Sequence, residues 1–319
     1  MTKNYFSVLM TLFLLIISYT VNAQGKESII EVKYVRNNDN SVTFSYIKNA
    51  PGTYRLNIKF NNLSNTYAND YEELVKYDSG QLLTLKPDKS DSYINFGYST
   101  SYMFGNFEPK VDSLFQYVLP FKKGKSIKIY ESSNLNEKYF GAEKSKSWKS
   151  YYVTSKTPDT VYAMRKGIVV NIKNEYKTDT LVTGYIYSSK RNGITIEHSD
   201  GTYSSYTGLK QNSILVQLGE TVFPTTPLGV LDIFNNKTYN LHFNIYYIGN
   251  KNYVHNPDAT IKTAKTPYAY LTPYFYTTEG LTKITAKNSF TPDYTEVVLN
   301  KEMTKKEVKQ RMKKNNLTK

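Results

Sequence analysis

The stretch GITIEHSDGTYSSYTGL, residues 193–209, places strand-forming residues on both sides of a polar turn. Gly193 stands directly before a β-branched run, which is typical of a tight turn that feeds a strand. The central HSDGT reads as a turn, because Asp and Gly readily adopt the backbone conformations that turns require. The stretch therefore predicts β structure, and similar glycine-led segments occur at 166–172 and 216–232.

Strand patterning extends from this stretch back to about residue 28. The segments SVTFSYIKN (41–49) and TYRLNIKF (53–60) alternate apolar and polar residues, so one face of each strand packs and the other is wet. Turn-forming clusters such as NAPGT and KPDKSD separate these segments. The pattern predicts an all-β fold that begins with an Ig-like β-sandwich over residues 24–122.

The rest of the chain divides into three further segments. The sequence predicts a second antiparallel β-domain over 123–256 and a peripheral β/loop extension over 257–302. A short basic helical tail follows over 303–319, and a capping box formed by Thr304 and Glu307 marks its start. Two apolar residues give this helix little to bury, which favours a frayed, solvated tail over one that touches an anionic surface.

The N-terminus has the composition of an export signal. Lys3 supplies a basic flank, residues 6–18 form an apolar run, and VNA supplies small residues before Gln24. The apolar run is shorter than the roughly 20 residues that span a bilayer. Residues 1–23 are therefore predicted to be a cleaved signal peptide rather than an anchor. The mature protein is expected in the periplasm or outside the cell, with no membrane span.

Composition excludes several kinds of site and partner. The 319 residues include three histidines and no cysteine, so thiolate zinc sites, thiol nucleophiles and disulfides are excluded. The formal net charge of +14 suits anionic envelope polymers, lipid head groups or nucleic acid. The lysines are dispersed, however, and no nucleic-acid motif is present, so no nucleic-acid partner is predicted. The 31 tyrosines suit half-buried strands and sugar-binding surfaces equally.

Four blocks of the second domain match a known series of motifs in order and spacing. They are TVYAMRKGIVVNI (160–172), GITIEHSDGTYSSYTGL (193–209), VQLGETVFPTTPLGVLD (216–232) and NLHFNI (240–245). Over residues 117–247 the chain resembles the lysostaphin-type (LytM-like) zinc endopeptidases, which cut peptidoglycan cross-links. QYVLPFKKGKS (116–126) resembles the lead-in of an envelope subfamily that carries an N-terminal β-domain.

The resemblance implies a zinc site that this chain retains only in part. In the family, a histidine, an aspartate and the second histidine of H-x-H hold the metal, and water takes the fourth position. Tyr152 stands where the aspartate belongs, and Trp148 lies near the place of the upstream histidine. Gly208 replaces the histidine of Y-x-H-L, and Asn240 replaces the first histidine of H-x-H. Of these positions, only His242 keeps its family residue.

These departures predict a site without metal. One imidazole does not hold zinc, and a tyrosine ligates only when it is ionised, far below its usual pKa near 10. His242 is therefore expected to be a packed strand residue facing Tyr152, Asn240, Gly208 and Trp148. A rebuilt site is conceivable at two imidazole–carboxylate neighbours, His198 with Asp200 and His255 with Asp258. No P-loop, nucleophile elbow or dinucleotide fingerprint is present.

Three hypotheses of function remain open. The first is an exported, non-catalytic relative of peptidoglycan metallopeptidases, a pseudoenzyme that binds peptidoglycan or an envelope hydrolase without a cofactor. The second is an active zinc peptidase with non-standard ligands. The third is a structural or adhesive β-protein of the envelope that makes contacts through its tyrosines.

Overall fold

The structure is a computed structural model that describes residues 28–132, 147–178, 188, 190–234, 238–253, 258, 260, 266–285 and 287–317. Within these ranges the chain is built almost entirely from antiparallel strands, and its two helices stand at the C-terminal end. The predicted all-β fold is confirmed. The predicted signal peptide, residues 1–23, lies outside the described residues. No helix in the described ranges has both the length and the apolar character to cross a membrane.

Two three-stranded sheets form the N-terminal sandwich. Apolar side chains at alternate positions of the second strand, Val42, Phe44 and Tyr46, are buried between the sheets. One sheet has the order β1 (Ile30–Arg36), β2 (Val42–Lys48), β5 (Ser79–Leu85), and the other β4 (Tyr71–Val75), β3 (Tyr54–Ser64), β6 (Asn95–Phe104).

A ten-stranded sheet forms the second unit, and one strand at its centre makes pairings on both sides. Along the main path the order is β14 (Thr221–Val222), β11 (Gly167–Lys173), β12 (Asn192–Glu197), β13 (Tyr203–Leu209), β17 (Thr238–Ile248), β9 (Tyr151–Ser155), β8 (Ile127–Glu131), β21 (Asn288–Phe290). β16 (Ile233–Phe234) and β18 (Tyr268–Tyr270) also pair with β17. Two small sheets complete the unit: β10 (Thr160–Tyr162) with β15 (Pro227–Val230), and β20 (Gly280–Lys283), β19 (Tyr274–Thr277), β7 (Gln116–Val118).

The segments that pack in the core of the second unit extend beyond the boundaries predicted for it, 123–256. Phe115, Tyr117 and Phe121, which the sequence assigns to the sandwich, pack in the core of the ten-stranded sheet. Phe275 and Phe290 of the predicted peripheral extension pack in the same core. β7 and β19 pair in parallel, which brings together two segments that are about half the chain apart in sequence. Aromatic alternation predicts that a residue is buried but not which core receives it.

The N-terminal sandwich docks on the ten-stranded sheet through a buried carboxylate. Glu197 of β12 accepts hydrogen bonds from the backbone N–H of Thr53 at 2.9 Å and from its hydroxyl at 2.5 Å. Burial raises the pKa of Glu197 above its ordinary value. The hydroxyl of Tyr203 accepts a bond from the Asn106 backbone N–H at 2.8 Å. These contacts fix the sandwich at one end of the sheet face that carries Glu197 and Tyr203.

The C-terminal tail is docked rather than frayed. The predicted tail, residues 303–319, contains α2 (Lys305–Leu317), and α1 (Glu296–Asn300) precedes it in the predicted extension. The predicted capping box is present at the start of α2. The backbone N–H of Thr304 donates to Glu307 at 2.7 Å, and that of Glu307 donates to the Thr304 hydroxyl at 3.3 Å. Glu307 also pairs with Lys166 at 2.9 Å. Ion pairing, rather than apolar burial, holds this helix against the β-domain.

A buried arginine connects the tail to the core. The guanidinium of Arg165 pairs with Asp200 at 2.7 Å and with Glu302 at 2.8 Å. Its carbon centre lies 3.6 Å from the centroid of the Phe115 ring. The Arg165 side chain is only 4% exposed, so these carboxylates compensate a charge that has little access to water.

Replacing Arg165 with Met is expected to lower the free energy of unfolding by about 3–5 kcal/mol, because it leaves two largely buried carboxylates without their cation. Denaturant titration of residues 24–319 measures this change. The exposed Lys210 gives the matched control, since Lys210→Met removes a cation from the surface and is expected to cost less than about 0.5 kcal/mol. A decrease in unfolding free energy below about 1 kcal/mol for Arg165→Met would show that the ion pairs of Arg165 do not stabilise the docked tail.

Candidate functional site

His242 lies on β17, the central strand of the ten-stranded sheet. Its neighbours Leu241 and Phe243 are buried in the core, so the period of two directs His242 to the opposite side. Tyr152 of β9 stands directly across from it on one side, and Thr207 of β13 on the other. We call this side the polar face and define it by Tyr152, Thr207, Asn240, His242 and Asn244.

The rings of Tyr152 and His242 are in direct contact. Their centroids lie 4.6 Å apart with the planes tilted by 55°. Burial, together with the positive charge of Arg191, lowers the pKa of His242 to about 3. Burial also raises the pKa of Tyr152, although Arg191 and a hydrogen bond with the Asn240 side chain oppose that change. Both rings are therefore neutral near pH 7.

Gly208 stands where the resemblance places a histidine, and the backbone there cannot carry one. Its φ of +118° is disfavoured for residues with a side chain. A Cβ at this position would lie 2.1 Å from the Asn240 carbonyl oxygen and 2.3 Å from Nη2 of Arg191. The guanidinium of Arg191 therefore occupies the space into which a side chain at Gly208 would project.

Arg191 is the residue of this site that the sequence analysis missed. Its Nη2 donates to the Asn240 carbonyl at 2.7 Å, and its carbon centre lies 4.9 Å from the centroid of the Phe234 ring. Burial lowers its pKa to about 10, although the negative charges of Asp232 and of the ionised form of Tyr152 oppose that change. Within the described part of the chain, no carboxylate lies within 4 Å of its nitrogens.

The rarity of arginine in the sequence could have drawn attention to Arg191. The chain has 41 basic residues, and only five are arginines: Arg36, Arg55, Arg165, Arg191 and Arg311. Arg55, Arg165 and Arg311 pair with carboxylates, and Arg36 is exposed. In a chain that otherwise uses lysine for surface charge, arginine marks positions where a planar fork of donors is needed. Arg191 is the partly buried member of this set that has no ion-pair partner among the described residues.

Trp148 does not close the site. Its ring packs against Tyr270 with centroids 4.8 Å apart, and its Nε1 donates to the Ser132 carbonyl at 3.2 Å. Tyr270 pairs with Tyr246, four residues beyond His242 on β17, so Trp148 packs about 13 Å along the sheet from His242. The sequence could not fix this position, because it depends on the length of the preceding loop.

His198 and Asp200 do not form a rebuilt site. His198 is buried, and its Nδ1 lies 2.7 Å from the Lys166 carbonyl while its Nε2 lies 2.6 Å from the Ser204 hydroxyl. Asp200 instead pairs with Arg165. The carbonyl can only accept, so Nδ1 carries the proton and His198 acts as a neutral structural residue. The other proposed pair includes His255, which lies outside the described residues.

The donor set around His242 does not fit zinc. A zinc site needs three or four converging nitrogen, sulfur or carboxylate ligands. Here the opposite position offers a phenol with a raised pKa, and the adjacent Arg191 cation would repel a metal ion. No group of three or more His, Asp or Glu side chains converges within the ranges the structure describes.

Comparison with known proteins gives weak likenesses. No family model matches the chain, and no curated protein matches it. Among solved structures, the M23 metalloprotease pseudoalterin from the deep sea is 16% identical over 57% of this chain and 99% of its own, with a TM-score of 0.32. A Pseudomonas aeruginosa protein classed as an M23 peptidase is 12% identical over 61% and 88%, with a TM-score of 0.27. Csd3 of Helicobacter pylori is 9% identical over 90% and 84%, with a TM-score of 0.29.

The depressed pKa of His242 predicts a pH dependence of stability. Below pH 6.5 the unfolded imidazole takes up a proton that the folded ring, with a pKa of about 3, does not. The contribution of the neutral His242 imidazole to the free energy of unfolding is therefore complete above pH 6.5. It is lost as the pH falls towards 3. Between pH 7 and pH 5, His242→Gln is expected to remove about 2 kcal/mol of the wild-type decrease in unfolding free energy.

Denaturant titrations at the two pH values measure this difference. Tyr152→Phe is the matched control, because it alters the same pair of strands without removing a group that titrates between pH 5 and pH 7. An equal pH dependence for His242→Gln and the wild type would mean that the imidazole is accessible to protons in the folded protein.

Proposed function

We propose that the protein is an exported, non-catalytic envelope protein that binds peptidoglycan or an envelope hydrolase. The observation that supports this most strongly is the pairing of Tyr152 with His242, since a phenol faces the one retained imidazole where the resemblance implies a carboxylate. Export is proposed from the signal-like residues 1–23. The net charge of +14 would favour contact with anionic envelope polymers.

A peptide hydrolase of the resembling family needs a metal to polarise the carbonyl and to lower the pKa of the attacking water. Two neutral rings and a guanidinium cannot supply a nucleophilic hydroxide at neutral pH. We therefore propose that the protein holds no zinc at His242 and cleaves no peptide bond there. A polar face that retains hydrogen-bonding groups but not a metal is suited to binding rather than to hydrolysis.

The mature protein is expected to bind no stoichiometric zinc. Tyr152→Asp combined with Arg191→Gln should create weak zinc affinity, because it places a carboxylate opposite His242 and removes the neighbouring cation. Isothermal titration with zinc measures both proteins. Tight, equimolar zinc in the unmodified protein that disappears in His242→Ala would instead support an active metallopeptidase with non-standard ligands.

Direct wall binding predicts that the mature protein sediments with purified sacculi at physiological ionic strength. The fraction in the pellet, measured against protein concentration, gives the affinity, and a repeat at higher salt separates binding at the site from general charge attraction. Absence from the pellet would contradict binding to peptidoglycan and leave an envelope protein as the proposed partner.

A further inference from the structure

The guanidinium of Arg191 lies close to Gly208 and the Asn240 carbonyl. It fills the space beside Gly208, where any Cβ would clash with it. One of its donors is used by the Asn240 carbonyl. A guanidinium has five N–H donors, so the remaining donors have no acceptor among the described residues.

Buried charges are normally paired, because removing a charge from water without compensation is costly. Asp232 is the acidic residue whose charge acts on Arg191, yet its Oδ1 accepts bonds from the Thr178 hydroxyl at 2.7 Å and the Ile233 backbone N–H at 2.9 Å. It forms no ion pair with Arg191 within 4 Å in the described part of the chain. Among the described residues, therefore, Arg191 has no ion-pair partner, and its charge can be matched by a ligand.

The surroundings of Arg191 favour a ligand with a single negative charge. Tyr152 and His242 are neutral at pH 7, and no lysine takes part in the electrostatic environment of either ring. One guanidinium balances one carboxylate, and the two match in geometry as a bidentate pair. A phosphate dianion would keep one charge uncompensated beside Asp232.

A second unsatisfied group lies further along the same strand. Oδ1 of Asn244 is buried and has no hydrogen-bond partner in the described structure. It follows His242 by two residues on the polar face, opposite Ser205 of β13. An orphan acceptor of this kind is suited to an N–H donor, which the main chain of a peptide provides.

The distance between these two groups sets the length of ligand. Asn240, whose carbonyl holds Arg191, and Asn244 are four residues apart on β17, which corresponds to about 13 Å. Beyond Asn244, the rings of Tyr203 and Tyr246 stack at 5.3 Å, and the N-terminal sandwich contacts Tyr203 through Asn106. An extended peptide of about four residues would span the interval.

We propose that the polar face binds the C-terminal end of a short peptide, with its carboxylate on Arg191 and a main-chain N–H on Asn244. The proposal deepens the proposed function and rests on it only for the source of the peptide, which would be the wall rather than a protein. Tyr152 lies beside the carboxylate position and can donate its hydroxyl hydrogen to it, since its phenol stays protonated near pH 7.

The test uses acetylated tetra-alanine with a free C-terminal carboxylate and the same peptide as its C-terminal amide, titrated into the mature protein by calorimetry or NMR. The acid is expected to bind about tenfold more tightly than the amide, as a charge-assisted pair implies. Arg191→Gln should abolish this preference. Lys190→Gln is the matched control, because it removes an exposed cation from the adjacent residue and should leave the preference intact.

Asn244→Leu tests the second contact. It should weaken both the acid and the amide several-fold, while the unfolding midpoint stays the same or rises because an unsatisfied acceptor has been removed. Equal affinity of acid and amide for the wild type would overturn the carboxylate site, and unchanged affinity in Asn244→Leu would overturn the role of Asn244. Loss of folding in Arg191→Gln leaves the acid and amide comparison in the wild type to decide.

A second pair of peptides that end in D-alanine distinguishes the source, because wall peptides carry D-residues and protein termini do not. A preference for the D-ended acid supports a wall ligand, and a preference for the L-ended acid supports a protein terminus. Binding of the acid by a protein that does not sediment with sacculi would retain the carboxylate site and contradict wall binding. Sedimentation that Arg191→Gln does not affect would retain wall binding and contradict the carboxylate site.

Discussion

The register of β17 is the constraint on which the candidate site depends. Leu241, Phe243 and Ile245 are buried in the main core, and a shift of one residue would turn all three outward and bring the polar side chains inward. Because the core fixes this register, His242 must face Tyr152 and Thr207. The contacts of the site are therefore a consequence of packing on the other side of the sheet.

Beside β17, Gly208 of β13 and Arg191 fit together. Gly208 has no side chain and a left-handed backbone, and Arg191 places its guanidinium in the space that this leaves. A single organic cation with directed donors therefore lies near the imidazole. It explains why His242 stays neutral, since burial and a neighbouring positive charge both oppose its protonation.

Much of the fold could be predicted from local pattern, because alternation and turn residues act over short distances. Counting along the motifs also gave Tyr152 as the residue opposite His242, since both belong to regular strands whose spacing is fixed. The contacts of Trp148 could not be predicted, because they depend on the length of a loop.

Arg191 and the docked tail escaped prediction for a related reason. Arg165 and Glu302 are 137 residues apart, and Arg191 and Asn240 are 49 apart. No periodic pattern connects residues at such separations, so ion pairs and single hydrogen bonds between them appear only once the sheet has formed. The rarity of arginine was the one local hint, and it indicates that a position is special without indicating its partner.

The most direct measurement is anomalous diffraction at the zinc edge from crystals of the mature protein soaked with zinc and the acid form of the tetrapeptide. We expect no anomalous peak at His242 and peptide density with its carboxylate against Arg191. A zinc peak about 2 Å from the His242 imidazole, with the Tyr152 oxygen as a further ligand, would contradict a site that holds a guanidinium and no metal.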